Sequence, residues 1–580
     1  MLRLHQLSSE PECFDPIAFH SGVNLILGER SDGTDSQGRK VNGVGKSVCV
    51  EFLHFALCRR YSETRVSKIP EDILPQGLIV VLDLSIDSNR LQIRRAIANP
   101  EQPMIVSSNG TETVFESLED ATQYLGDLLF AGQENAGQLS YRQVISLLMR
   151  DEGSGFKSYI KPHDISKRVP DDIAPHLYIM GIDLTTYRRL EESIERLESQ
   201  RRILRELRLV VTNHDEFKIS DIPSKLNEER QATRKINDAL TTLRADPGFE
   251  EVEGDLNQIE VELQQLRAER KGVSFKIDQI QSIPLPERID ASDLKIVYDR
   301  IKSGLGDLVE KSLEQAKFFK AEIEKFQQTL RQDELTQLEA RRRDLSGKIR
   351  KLSDQHADLT RQIDRNGVLS ELKTGLEIAT RRTDEYHRLE SQFRLYQDKL
   401  QEFENTKAER TNDLQALART LNECKDTEQS FNDTIVLLHE KIMQSSFASF
   451  RFKLNHSPTA KRPLSFELRI QDDGSKSIDQ VRVFIYDLAL MFDPICRQNH
   501  PGFLLHDNIL EVDQDTLIKC LNVLHDQMET EDDFQYVLTL NRDKIEIEEQ
   551  RHDIRLAINQ AKCASFTKTN QFLRKRYQEQ

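Results

Sequence analysis

The chain has 580 residues, too many for one compact domain. Its 31% charged and 7% aromatic residues, with no tryptophan, exclude a chain that is mostly hydrophobic core, and its formal net charge of −16 excludes a surface that binds polyanions throughout. Seven cysteines without CxxC pairs indicate neither a disulfide framework nor a zinc site. The absence of a charged-then-apolar leader and of any apolar run near the roughly 18 residues that span a bilayer gives the expectation of a soluble, cytoplasmic protein with no membrane partner.

The first element is the apolar run Val23 to Leu27, which reads as a strand. It leads to Asn42-Gly43-Val44-Gly45-Lys46-Ser47, and the apolar segment Val48 to Cys58 that follows reads as a helix. Strand, glycine-rich turn and helix in that order make a phosphate-binding loop. Glycines let backbone N–H groups close around phosphate oxygens, Lys46 reaches the β- and γ-phosphates, and the Ser47 hydroxyl ligates Mg²⁺. The full pattern G-x-x-x-x-G-K-[ST] wants a glycine where this chain has Lys40; Gly28, at the strand's end, is expected to serve instead, with 29–41 as a polar insertion. The alternative is a glycine-rich surface turn before an ordinary helix. Strands at Gly77 to Ile86 and Leu91 to Ala96, joined by Asp87-Ser88-Asn89, read as a hairpin.

From about Tyr187 to Met443 the composition turns to Glu, Lys, Arg, Gln and Leu. Val252, Leu256, Ile259, Leu263, Leu266, Val273, Ile277 and Ile280 keep a three-four spacing, as do Leu338, Leu345, Ile349, Leu352, Leu359 and Ile363, with His356 in one seam position. These are coiled-coil heptads; a single amphipathic helix on a globular core is the alternative, for which the stripe is narrow. Ile283-Pro284-Leu285-Pro286 stops the first run, and the segment to about Leu330 reads as short helices broken at Gly304 and Gly306, where the chain turns back. Asn213 to Pro223, Asp246-Pro247-Gly248 and Asn366-Gly367 read as joints within the arms. The boundaries expected are 1–185 for an N-terminal lobe, 186–282 for an ascending coil, 283–330 for a hinge or apex, 331–443 for a descending coil and 444–580 for a C-terminal lobe.

In the last segment Ser465 to Ile470 alternates as a strand and Val481 to Phe492 reads as a buried helix. Gly502 to Leu505 is an apolar run ending in His506-Asp507, and Phe534 to Leu540 is another ending at Asn541. The two ends together are expected to form one α/β head. Phe503 to Asp507 also reads simply as a buried strand with a polar end.

This arrangement resembles the SMC-like division of the ABC ATPases, which includes chromosome-structuring SMC proteins, RecN and SbcC-type repair ATPases. The resemblance rests on NGVGKS, the split coil and FLLHDN in the place of a Walker B strand, and it implies an ABC-type ATPase head split by a long antiparallel coiled coil, with ATP and Mg²⁺ as cofactors. It implies that Asp507 holds Mg²⁺ with Ser47, that Asn508 stands where the family has its catalytic glutamate, and that Glu511 or Asp513 stands in as base. Asn cannot accept a proton, so this departure puts hydrolysis in doubt. Asn541 replaces the family's switch histidine, and Gln143 is the candidate Mg²⁺-sensing glutamine. Gly474, Ser475 and Ser477 keep the character of the signature loop over Asp472 to Gln480, though small residues there equally make a plain N-cap.

YDLAL at Tyr486 to Leu490, LLHDN at Leu504 to Asn508 and TLN at Thr539 to Asn541 resemble a prokaryotic branch of that family found in ABC-three-component and Lamassu-like anti-phage operons. That implies a homodimer through the heads, separately encoded subunits including an effector, and double-stranded DNA as ligand. Arg341-Arg342-Arg343, Arg381-Arg382 and Lys575-Arg576 offer phosphate contacts, and each is also readable as a solvated coil face or tail. No zinc-hook CxxC marks the apex, since Ile283 to Phe326 contain no cysteine. Two other readings stand beside the ATPase: a catalytically weak nucleotide-binding scaffold, and a tethering coiled-coil protein whose NGVGKS is accidental.

Overall fold

The computed structural model describes all residues except 31–42, 71, 133–138, 163–171, 245–252, 283–309, 364–367, 458, 472–473, 532, 551 and 576–580. The period-two alternation of β1 (Leu2–Glu10) buries one face only, whereas β3 (Gly22–Gly28), which follows the short β2 (Ile17–Ala18), is buried at every position. That contrast separates an antiparallel sheet with one wet face from a parallel sheet covered on both. After α1 (Lys46–Ala56), the strands β4 (Ile79–Ile86), β5 (Asn89–Ala96), β6 (Met104–Ser107) and β7 (Glu112–Val114) complete a six-stranded antiparallel sheet in the order β2-β1-β4-β5-β6-β7. The β4–β5 hairpin turns at Asp87, which adopts φ 50°. Helices α2 (Leu118–Leu129) and α3 (Tyr141–Leu148) then lead to β8 (Met149–Arg150) and α4 (Ala174–Ile179).

The chain forms two compact units. The first is built from Met1–Leu190, Asp413–Gln580 and, among the described residues between them, 310–317, so residues from both ends share it; the second is built from the parts of helices that fall in Glu191–Ile289 and Phe318–Asn412. Those helices are α5 (Leu184–Val211), α6 (Ile222–Arg244), α7 (Glu253–Ser282), α8 (Glu310–Ile363) and α9 (Val368–Glu423). Leu256, Leu263, Ile277, Leu345 and Ile349 are buried and His356 is half-buried, so the heptad positions face neighbouring helices.

Helix direction corrects one expectation. Arg196 pairs with Glu409 at 3.3 Å and Gln200 with Thr406 at 3.1 Å, so α5 and α9 are antiparallel. Arg267 donates to Thr380 at 3.0 Å and Lys271 pairs with Asp384 at 2.9 Å, so α7 and α9 are parallel. Residues 186–282 are therefore not a single ascending arm. A heptad pattern fixes which face is buried and leaves direction open; Asp246-Pro247-Gly248, expected as a joint, lies outside the described residues. The apex prolines and glycines, and Asn366-Gly367, also lie outside them, while 310–330, expected as short helices, belong to the continuous α8.

The first unit resumes with α10 (Lys425–Met443), the hairpin β9 (Ser449–Leu454) and β10 (Leu464–Arg469), α11 (Lys476–Phe492), β11 (Phe503–His506), α12 (Gln514–Thr530) and β12 (Gln535–Asn541). It closes with α13 (Glu546–Gln550), α14 (Ile558–Ala561) and β13 (Lys562–Phe566). Five strands make a parallel sheet in the order β13-β3-β12-β11-β8. The two larger sheets are pinned together where β1 loses register between Leu4 and Gln6. There the Gln535 amide accepts from Leu4 N at 2.7 Å and donates to Leu4 O at 2.9 Å, satisfying β1 backbone next to His5, which the pairing with β4 skips.

Candidate functional site

All five strands of the parallel sheet point the same way, so the residues that follow β3, β12, β11 and β8 gather at its carboxyl edge, the usual place for a ligand on an α/β sheet. After β3 the described chain resumes at Gly43 (φ 83°) and passes Gly45 (φ 102°), the N-cap of α1. Gly45 is required twice over: its backbone is left-handed, and a Cβ there would lie 2.7 Å from the Cβ of Phe572. The far end of α1 is held by two buried cations. Arg95 donates to the carbonyls of Phe55 and Arg59, and Arg142 to that of Leu57 at 2.6 Å, which suits the negative end of a helix.

Lys46 opens α1 and is buried. Its Nζ donates to Asn541 Oδ1 at the end of β12, and burial lowers its pKa against the raising effect of Asp507. Asp507 follows β11 and is 2% exposed. It accepts from Thr539 Oγ1 at 2.7 Å and from the Ser47 hydroxyl, while burial raises its pKa. The Thr539 hydroxyl also accepts from Asn508 N at 2.9 Å, so one side chain holds the turn that presents Asp507. Asn508 sits at φ 64°, a conformation Asn tolerates better than most side chains, and its Nδ2 donates to Glu511 Oε1 at 2.9 Å.

Lys46, Ser47, Asp507 and Asn541 are thus brought together, with Asn508 and Glu511 beside them. Gly28 pairs with Asn541 and Phe566 at the head of this edge. Asn42 lies outside the described residues. Asp513 caps α12, accepting from Thr516 N at 3.0 Å, and these helix-start bonds, against burial, hold its pKa low. Gln143 closes a capping box on α3 with Ser140 and donates to Asp172 at 2.8 Å. Ser475 caps α11 and bonds Ser477 at 3.2 Å; among the described residues no hydrogen bond joins either to Lys46, Ser47 or Asp507. Three of the basic coil positions are matched by acids: Arg341 by Glu269 and Asp344, Arg381 by Glu385, and Arg382 by Glu229.

Several contributors escape a sequence reading. Thr539 lies inside a uniformly buried strand. Asp151 and Glu152 follow the two-residue β8, and Glu152 acts electrostatically on both Lys46 and Asp507. Behind the edge, Asp487 of α11 pairs with Arg150 through both carboxylate oxygens and with His506 Nε2 at 2.9 Å, while His506 Nδ1 meets the Tyr536 hydroxyl at 2.8 Å. Arg150 also donates to the carbonyls of Ser158, Tyr159 and Lys161, and its own carbonyl accepts from Asp507 N at 2.9 Å. This fully buried cluster ties α11, β8 and β11 into one block, directly beneath Asp507 and the acids after β8.

Chemically, the edge offers a cation, helix-start amides, a hydroxyl and a carboxylate. Hydroxyl and carboxylate oxygens are the hard donors Mg²⁺ takes when it keeps water and phosphate oxygens as its remaining ligands. Among the described residues no group of three or more His, Cys, Asp or Glu is placed to hold a metal.

Residues 438–577 match a family model described as an uncharacterised protein conserved in bacteria (DUF2326). Among curated proteins none matches. Solved structures that resemble the chain include the Smc head domain with a coiled coil and joint from Pyrococcus yayanosii, at 15% identity over 94% of this chain and 93% of that one, with a TM-score of 0.35. Another is the Smc head domain with an extended coiled coil bound to the C-terminal domain of ScpA from Pyrococcus furiosus, at 13% identity over 94% and 92%, with a TM-score of 0.34. At these scores the likeness assigns neither a reaction nor a partner. No described helix is long and apolar enough to cross a membrane.

Proposed function

We propose that this chain is an SMC-like ATPase subunit that binds ATP with Mg²⁺ at the carboxyl edge of its parallel sheet. The observation that carries the reading is the meeting of Lys46 and Ser47 with Asp507, which follows them by 461 and 460 positions in sequence, at one point of the carboxyl edge. Lys46 would hold the β- and γ-phosphates, and Ser47 with Asp507 would hold the ion, which neutralises phosphate charge when bound. Asn508 cannot take a proton from water. Glu511, held by Asn508, is the better candidate base, because Asp513 is engaged as a helix cap. Slow hydrolysis would keep a nucleotide-bound state long-lived.

In this reading two heads pair, the start of α11 at Ser475 and Ser477 faces the nucleotide of the other head, and closure moves the coils. The resemblance of the motifs YDLAL, LLHDN and TLN to the defence-operon branch is what suggests a role beside separately encoded defence subunits with double-stranded DNA as the sensed ligand; the family matched over the same region is uncharacterised and adds nothing to that part of the reading. Steady-state ATP hydrolysis by the full chain, with and without linear and circular double-stranded DNA and with Lys46→Ala as blank, tests it. DNA-stimulated turnover that disappears in the variant is the expected result, and ATP binding no better than that of Lys46→Ala refutes it. Asn508 favours one second reading, a nucleotide-binding scaffold, whose mark is tight binding without turnover under any condition.

A further inference from the structure

Outside the residues already assigned, the loop Gly43–Gly45 has a second neighbour, the segment Thr567–Arg574. The Gln571 side-chain amide donates to Gly43 O at 3.3 Å, and Phe572 N donates to Val44 O at 3.3 Å. The Phe572 ring stacks on Phe14 at 4.5 Å and meets Phe52 of α1 and Phe566 of β13 edge-on at 5.2 and 5.5 Å. Arg574 anchors the far side to Glu12 and Asp15. The segment is therefore fixed to three parts of the first unit while its donors hold two successive carbonyls of the loop.

Across a planar trans peptide, the C=O of one residue and the N–H of the next point in opposite directions. With the carbonyls of Gly43 and Val44 turned to Gln571 and Phe572, the N–H groups of Val44 and Gly45 are turned the other way, to the side on which α1 begins. Phosphate recognition by such a loop depends on that orientation. We propose that Thr567–Arg574 is the back wall of the phosphate-binding loop, and that Gln571 and Phe572 are positioning residues that aim the amides of Val44 and Gly45 at a nucleotide's phosphates. The inference rests on the nucleotide reading above.

The test is binding of a fluorescent ATP analogue with Mg²⁺ to the full chain, with competition by inorganic triphosphate, in Gln571→Glu, Phe572→Ala and Phe572→Leu beside Lys46→Ala. Gln571→Glu places a carboxylate against the Gly43 carbonyl at a half-buried site, and is expected to weaken both ligands by the same factor, about tenfold, with the ligand-free melting temperature unchanged. Phe572→Ala, which removes the anchoring ring, is expected to weaken both at least as much, while Phe572→Leu restores most of the affinity. Parent-like affinity, within about twofold, in both Gln571→Glu and Phe572→Ala would overturn the inference and leave the nucleotide reading standing. A parent chain that binds no better than Lys46→Ala would overturn both.

Discussion

Replacing Asp487 by Asn removes a charge from the centre of the first unit at almost constant volume. The carboxylate is 2% exposed and is the counter-charge of Arg150, which is 0% exposed; burial would raise its pKa, but Arg150 and His506 hold it low, so it is ionised in the fold. Removing one partner of such a pair strands the other charge, at a cost of about 3–5 kcal/mol. Arg150→Met should cost more. It strands the carboxylate on His506 alone and also takes a donor from the carbonyls of Ser158, Tyr159 and Lys161, adding about 1 kcal/mol for each. At about 2 °C per kcal/mol for a unit of this size, Asp487→Asn should melt about 6–10 °C below the parent and Arg150→Met lower still. Differential scanning calorimetry reads both. A variant at Asp487 within about 2 °C of the parent, or a milder loss in Arg150→Met than in Asp487→Asn, would refute the assignment of this cluster as a charged keystone.

Gly45→Ala should destabilise the chain by about 2 kcal/mol or more, through the left-handed backbone and the clash with Phe572; a parent-like thermal melt would contradict both. Thr539→Val keeps the shape but deletes the hydroxyl that serves Asp507 and Asn508, so chemical denaturation should show a loss of about 1–3 kcal/mol, and an unchanged midpoint would mean the turn holds itself. Glu51, buried on α1, has its pKa raised from 4.5 to about 7, chiefly by burial. The folded chain therefore holds a proton the unfolded chain has lost between those values, and stability falls by about 3 kcal/mol as pH rises through that window. Glu51→Gln lacks this loss, so its melting temperature relative to the parent should be higher at pH ~8 than at pH ~5; equal differences at both would rule the titration out.

What was legible in the sequence was whatever announces itself locally. Val23 to Leu27 before NGVGKS, the hairpin around Asp87, and the polar ends at Asp507 and Asn541 all follow from apolar runs bounded by polar or glycine residues, and the structure forms β3, β4, β5, β11 and β12 there. Two site candidates differ in this respect. Ser475 is the plain N-cap that small residues there allow, while the capping box that ties Gln143 to Ser140 shows only in the structure. What stayed hidden depends on long-range pairing: Arg150 with Asp487 across 337 positions, Gly43 with Gln571 across 528, and the acids after a two-residue strand too short to show a period. The direction of α7 belongs with these, because no heptad records it.

The strand that carries the phosphate-binding loop has no neighbour from its own half of the chain. β3 lies between β12 and β13, both contributed by residues beyond 530, whereas every strand of the six-stranded sheet precedes residue 115. During synthesis the antiparallel sheet can close while the ribosome is still translating the helices, but β3 must wait with both edges open until more than 500 further residues have emerged. At about 5–20 residues per second that is a delay of roughly half a minute to nearly two minutes. For that interval β3, buried at every position in the finished sheet, is an apolar strand with both edges unpaired, and such an edge is a template for pairing with another chain.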